Sequence, residues 1–189
     1  VDNEGINLWD EEDEFFYDVL KLPNNRIIPL KVRSLVGLTS LFAVHVIDQS
    51  LLSKVPQFYQ RLKWFVTYQQ KNDHFLAIET NSKGDILLSL APQKRLEKIL
   101  KALLDENEFL SPGGIRSLSK IHEKPYFIQI DGKEFGLCYE PGESQTALFG
   151  GNSNWRGPVW MPINFLMVSA LIKYVCFLNT NLQVEFPSH

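Results

Sequence analysis

The apolar positions of this chain change period from segment to segment, and those changes mark its elements. Residues 15–22 and 26–32 alternate across Pro23-Asn24-Asn25, which predicts a β-hairpin with asparagine at turn positions needing positive φ. Ser34 then stands as a cap before Leu35, Leu38, Leu41, Phe42 and His45/Val46, whose spacing predicts a helix ending near Asp48. Pro56 opens a second predicted helix, amphipathic, with Phe58, Leu62, Phe65 and Val66 on one face. Residues 75–80 and 86–90, on either side of Asn81-Ser82-Lys83-Gly84-Asp85, predict a second hairpin. Pro92 starts a third helix striped by Leu96, Ile99, Leu100, Leu103 and Leu104, which Ser111-Pro112-Gly113-Gly114 keeps from continuing. Residues 126–130 and 133–139 flank Asp131-Gly132, the pair that supplies both positive φ angles of a type I′ turn. A polar loop over 140–154 leads into a long apolar helix, and the opening Leu8-Trp9-Asp10-Glu11-Glu12-Asp13 reads as a loop or the last turn of a helix. Helices alternating with elaborate loops predict an all-α scaffold with β-hairpin insertions gathered on one rim.

Composition narrows the function classes. At 44% hydrophobic and net charge -3, the chain can bury a core and is no disordered tail. Nineteen basic residues against 22 acidic ones, with no basic cluster, exclude a polynucleotide surface. Cys138 and Cys176 are too few for a disulfide framework and are expected as reduced, buried thiols, with one bridge between them as the alternative; His45, His74, His122 and His189 are scattered, so neither a metal nor a cofactor is expected. The sequence opens at Val1 without a basic and apolar leader, which leads to the expectation of a cytoplasmic location. Residues 158–178 carry Lys173 as their one charge and are long enough to span a bilayer. Pro158, Pro162 and Asn164 in their first third, and no cationic flank beyond, favour a buried aromatic-rich helix over a span.

The densest candidate chemistry is Gly150-Gly151-Asn152-Ser153-Asn154-Trp155-Arg156-Gly157-Pro158-Val159-Trp160. An indole face matches the C–H face of a pyranose, and Asn and Arg can bond its hydroxyls. The same tryptophans could instead anchor a helix in the core. Glycoside hydrolysis needs two carboxyl groups, one acid and one base. Asp10, Glu11, Glu12, Asp13, Glu140 and Glu143 are the candidates, and an acidic run such as 10–13 more often forms a solvated loop face, so none is assigned a catalytic role. Arg116, following Gly114-Ile115, could clamp a ligand or tie down a loop carboxylate.

Several segments together resemble the C-terminal catalytic domain of glycoside hydrolase family 63, that of processing α-glucosidase I and the mannosylglycerate hydrolases, and are closest to its large bacterial-type members. They are Gly5-Ile6-Asn7-Leu8-Trp9-Asp10-Glu11-Glu12-Asp13, Phe15-Phe16-Tyr17-Asp18-Val19-Leu20, Pro29-Leu30-Lys31-Val32-Arg33-Ser34, Glu108-Phe109-Leu110-Ser111-Pro112, Gly114-Ile115-Arg116-Ser117-Leu118-Ser119, Tyr139-Glu140-Pro141 and the motif at 150–158. The resemblance runs from about Gly5 to Glu185. It implies an (α/α)6 toroid and an inverting hydrolase of glucosyl or mannosyl linkages, with an Asp acid and a Glu base whose motifs lie upstream and downstream of the segments matched here. It also implies a sugar rim formed by Trp9, Asp10, Asn154, Trp155, Arg156, Gly157 and Trp160, with Arg116 as a further candidate.

Twelve helices of about 12 residues need on the order of 300 residues or more. The 189 present would therefore make one incomplete domain of partial toroid, lacking its first and last helices, with apolar flanks open to self-association. Its partner would be an oligosaccharide or small glycoside. The alternatives are a non-catalytic carbohydrate-binding or scaffold remnant, and an α-helical interaction module. Glu14 stands where the family usually has Gly, Ser40 where it has Pro, and Phe186-Pro187-Ser188-His189 where it continues Cys-Pro-Thr-Gly-Ser-Gly.

Overall fold

A computed structural model describes residues 8–71, 77–141, 158–179 and 184. In chain order come β1 (Trp9–Asp10), β2 (Phe15–Phe16), β3 (Asp18–Lys21), β4 (Ile27–Leu30), a 3₁₀ segment (Leu35–Phe42), β5 (Val44–Ile47), α1 (Gln49–Lys54) and α2 (Pro56–Lys71). There follow β6 (Ala77–Thr80), β7 (Ile86–Ser89), α3 (Gln93–Leu104), β8 (Leu110–Ser111), β9 (Gly114–Ile115), a 3₁₀ turn (Lys120–Glu123), β10 (Tyr126–Ile130), β11 (Lys133–Leu137) and α4 (Met161–Leu178).

These elements overturn the all-α expectation and its partial toroid. Among the described residues the strands form five antiparallel sheets of two or three strands interleaved with the helices, so the fold is mixed α/β. The sequence expectation failed at two kinds of place. Leu35, Leu38 and Leu41 recur every three residues, the period of a 3₁₀ helix, and all three are buried there. Val44-His45-Val46-Ile47, expected to end that helix, instead pairs with β7 as a strand, burying Val44 and Ile47. The segment 8–13 is likewise no helix end: Trp9 and Asp10 pair with Phe16 and Phe15 across a tight turn. The three predicted hairpins are present, with Asn25, Gly84, Asp131 and Gly132 at φ 62°, 86°, 51° and 75°.

The chain divides into two compact units, one drawn from Ser40–Glu97 and Leu166–Gln183, the other from Leu8–Thr39 and Lys98–Phe165. In the first, the sheet β5-β7-β6 carries a core of Ile47, Leu52, Leu62 and Ile86, against which Tyr59, Val66, Ile78 and Leu88 pack. Tyr59, Leu62 and Val66 are the inward face of α2, so Phe58 and Phe65, expected there, stay exposed. Asp48 caps α1, accepting the Ser50 N–H at 2.6 Å. Met167, Ala170, Tyr174, Phe177 and Leu178 are buried, the Tyr174 hydroxyl lies 2.6 Å from Ser89 Oγ, and Lys173 Nζ donates to the Val44 carbonyl at 3.3 Å. The opposite face of α4, from Met161 and Phe165 through Val168 and Ile172 to Val175, is exposed. By length and composition α4, 18 residues at mean hydropathy 1.7, could cross a membrane, and it is buried along one side rather than all round. Both cysteines are free, and neither is fully buried as expected: Cys176 falls on an exposed position of α4 and Cys138 is half-buried.

In the second unit Phe15 and Phe109, both fully buried, stack with ring centroids 5.8 Å apart. Leu35, Leu38, Leu118 and Leu137 are buried as well, and Ser34 bridges to Leu118. Gly37 presses so closely on the Phe15 ring and the Phe16 carbonyl that no side chain fits.

Candidate functional site

All the described site candidates lie in the second unit. Asp10 closes the β1–β2 turn: its Oδ1 accepts the Glu12 and Asp13 N–H groups at 3.0 and 2.9 Å, and its Oδ2 lies 3.1 Å from Lys31 Nζ. Lys31 also reaches Asp13 Oδ2 at 3.0 Å. The Asp13 N–H and then Lys31 hold the Asp10 carboxyl below the usual carboxylate range, while Asp13 and Asp10 raise the Lys31 ammonium. Glu11 and Glu12 face solvent, as an acidic loop face does. Trp9 beside them is buried, edge-on to Phe16 at 4.9 Å.

Beneath this turn lies a polar network that the sequence pattern did not single out. The Arg33 guanidinium forms an ion pair with Glu108, donates to the Tyr17 hydroxyl at 3.2 Å and to the Asp13 carbonyl at 2.9 Å, and sits 5.3 Å from the Phe15 ring centroid. Ser119 Oγ donates to the second Glu108 oxygen at 3.2 Å. The Arg33 N–H donates to His122 Nε2 at 2.9 Å, which assigns the neutral tautomer with its proton on Nδ1. Burial, then the Arg33 charge, push His122 down from 6.5 to about 4, and burial pushes the Tyr17 phenol up to about 12. Both are therefore neutral near pH 7. Arg33, Glu108 and Ser119 all occur in the segments that carry the family resemblance, which was the available signal. Their pairings join residues 75 and 11 positions apart, beyond any periodicity.

Arg116 is buried, and its guanidinium serves the loop before it. Nη1 donates to the carbonyls of Glu106, Glu108 and Leu110, and Nε donates to the Tyr139 hydroxyl at 3.1 Å. It ties down a loop, as one expectation held, through carbonyls rather than a carboxylate. Its backbone bridges to Val159, and the Ser117 N–H donates to the Pro158 carbonyl at 3.3 Å. That pairing delivers Trp160, 40% exposed, to the start of α4. Asn164, one turn into the helix, bonds back to Ile115 and to the Trp160 carbonyl.

The structure thus gathers Arg116 and Trp160 around one short pairing and sets Trp9 and Asp10 in the β1–β2 turn. Asn154, Trp155, Arg156 and Gly157 lie outside the described residues, as does Glu143. Glu140 is half-buried beside Cys138, whose Sγ lies 3.5 Å from its Oε1.

Comparison with known proteins agrees with the motifs. An uncharacterized protein of Saccharomyces cerevisiae is 42% identical over 185 residues, covering 96% of this chain and 17% of that protein. A protein described as a probable mannosyl-oligosaccharide glucosidase of Schizosaccharomyces pombe is 35% identical over 97 residues, 50% of this chain and 9% of its own length. The chain therefore spans less than a fifth of either relative. No solved structure matches it. The glycosyl hydrolase family 63 C-terminal domain matches residues 86–185, more than half the chain and including α3, the Arg116 segment and α4, and on that match the chain belongs to this family.

Proposed function

We propose that this chain is a portion of an inverting glycoside hydrolase acting on glucosyl or mannosyl linkages, and that it supplies part of the sugar-pocket wall. The general acid and base would come from other segments of a longer polypeptide. One contrast carries the reading. Trp160, at the end of the glycine-rich motif, remains accessible, whereas Asp10 and Glu108, carboxylates of the matching segments, are each ion-paired within the fold. An accessible indole suits a sugar face. Asp10, held below the usual carboxylate range, is poorly suited to donating a proton to a leaving oxygen. Similarity to a probable glucosidase supports the glucosyl alternative of the two, and the much greater length of both relatives supports a division of the site among segments. Asn154, Trp155 and Arg156 would contribute to the same wall as Trp160, with the turn that carries Trp9 and Asp10 as the scaffold of its rim rather than as sugar contacts. The same paired carboxylates favour one alternative, a carbohydrate-binding remnant without turnover.

The test is anomer-resolved NMR of sugar release by the full-length protein, on a panel of α-linked glucose and mannose disaccharides, beside Trp155→Ala and Trp160→Ala. Release of the inverted anomer, reduced at least about tenfold in both variants, is the expected result. Release of the retained anomer, or full activity in both variants, refutes the proposal. Quenching of tryptophan fluorescence by sugar with no turnover selects the remnant instead.

A further inference from the structure

We infer that Asn164 is a positioning residue, whose side-chain amide sets where Trp160 stands against the Gly114–Ile115 strand; its bearing on sugar binding rests on the function proposed above. A primary amide offers one acceptor and two donor hydrogens, and here all are spent on backbone. Oδ1 accepts the Ile115 N–H at 2.6 Å, and Nδ2 donates to the Ile115 carbonyl at 3.2 Å and to the Trp160 carbonyl at 3.0 Å. Asn164 thereby pairs with Ile115 as a neighbouring strand residue would, from inside a helix. The Trp160 carbonyl also receives the Asn164 backbone N–H at 3.1 Å, so two donors from one residue fix the peptide that carries the indole.

A second observation comes from the facing strand. Gly114 has φ +126°, and a Cβ there would lie 2.8 Å from Asn164 Oδ1 and 3.1 Å from Val159 Cγ1. Any side chain at 114 would push the amide away, so the glycine and the asparagine form one fitted pair. With the Arg116–Val159 bridge and the Ser117–Pro158 bond, residues 158, 159 and 160 are each held to the strand, and Asn164 makes the last of these ties. Asp in its place would face two carbonyls with no donor, and Leu would leave the Ile115 N–H and C=O without this partner.

The experiment labels the full 189-residue chain with 5-fluorotryptophan and follows its four indoles by ¹⁹F NMR, Trp160 being assigned by Trp160→Phe. Asn164→Asp and Gly114→Ala attack the pair from its two sides. In both, the Trp160 resonance is expected to shift or broaden while those of Trp9 and Trp64 hold, showing that the fold persists. Titration with methyl α-glucoside and methyl α-mannoside is expected to show affinity at least about tenfold weaker. The carboxylic acid form of Asn164→Asp regains a donor, so its Trp160 resonance should return toward the parent position as pH falls. An unmoved Trp160 resonance in both variants, even with a lowered Tm, overturns the inference. If both variants move Trp160 but neither glycoside perturbs the parent chain, the positioning role stands and the pocket reading fails.

Discussion

His122 makes the stability of this chain depend on pH in a calculable way. The imidazole is 5% exposed, accepts the Arg33 N–H at Nε2, and lies close enough to the Arg33 guanidinium to feel its charge. Protonating it means both charging a buried ring and losing that acceptor. Its pKa is held near 4, against 6.5 when the chain is unfolded. Above pH 6.5 the ring is neutral in both states and the linkage contributes nothing. Between 6.5 and 4 the unfolded chain binds a proton that the folded chain refuses, so stability falls by about 1.4 kcal/mol per pH unit. Below 4 both states are protonated and the slope disappears, after a loss of about 3 kcal/mol. Domains are stable by only about 5–15 kcal/mol, so this loss is large.

Urea unfolding at pH 7.5, 6.5, 5.5 and 4.5, read by tryptophan fluorescence, measures it. His122→Gln keeps an acceptor for Arg33 but cannot titrate. The variant is expected to be the less stable at pH 7.5, by about 1 kcal/mol for an imperfect hydrogen bond, and the gap should close or reverse by pH 4.5. Carboxylate titrations enter both curves alike and cancel in the difference. Parallel curves from pH 7.5 to 4.5 would refute both the neutral buried ring and its depressed pKa.

Two further outcomes follow from backbone geometry. Glu14 holds φ +53°, a conformation that costs a side-chain-bearing residue about 1 kcal/mol, and it is the position where the family resemblance leads one to expect glycine. Its ion pair with Lys98 at 2.6 Å is well exposed and contributes little. Glu14→Gly should therefore be more stable than Glu14→Ala by about 1 kcal/mol in chemical denaturation, and equal stabilities would rule out strain at this turn. Gly37→Ala and Gly136→Ala both place a methyl against a phenylalanine, but with different consequences. At 37 the new atom meets a fully buried Phe15 ring and a backbone carbonyl, so the loss should exceed about 3 kcal/mol. At 136 it meets Phe127, 60% exposed and able to swing away, so the loss should stay under about 1.5 kcal/mol, and matched Tm changes would contradict this reading.

The parts of the fold visible in the sequence are those decided by neighbours. Asp131-Gly132 and Asn25 predict their turns because a positive φ is a property of the residue itself, and the α3 stripe is legible because Leu96, Ile99, Leu100 and Leu103 are buried by one helix's own period. The expectation fails where the partner decides. Residues 44–47 become a strand because β7 offers them a ladder, and a spacing of three over Leu35, Leu38 and Leu41 fits an α-helix loosely and a 3₁₀ helix closely. The candidate site divides in the same way. Trp160 is recognisable from its own chemistry. Asn164 shows in the sequence only as a residue ill-suited to a membrane span, because its partner Ile115 lies 49 positions away.

That division bears on how motif residues are read. Arg116 sits in a family-matching segment and, by residue type, suits a ligand clamp. Its Nη1 and Nε are already bonded to three carbonyls and a phenol in a buried setting. Withdrawing them to a sugar would break the bonds that hold the 106–110 loop, leaving the Glu108 carbonyl only the Lys120 N–H, and any acceptor left buried and unpaired costs about 1–3 kcal/mol, more than a hydrogen bond to a solvated hydroxyl returns. The same holds for Arg33 with Glu108, both largely shielded from water; Asp10 lies nearer solvent, where its turn N–H groups and Lys31 orient it at smaller cost. A charged side chain bonded to backbone deep in the structure acts through geometry, by making the loops it holds rigid. Such residues can mark a family as surely as those that touch substrate. The distinction lies in whether their polar atoms are spent before any ligand arrives, and among Trp9, Asp10, Arg116 and Trp160 it is Trp160 whose ring remains accessible at 40% exposure.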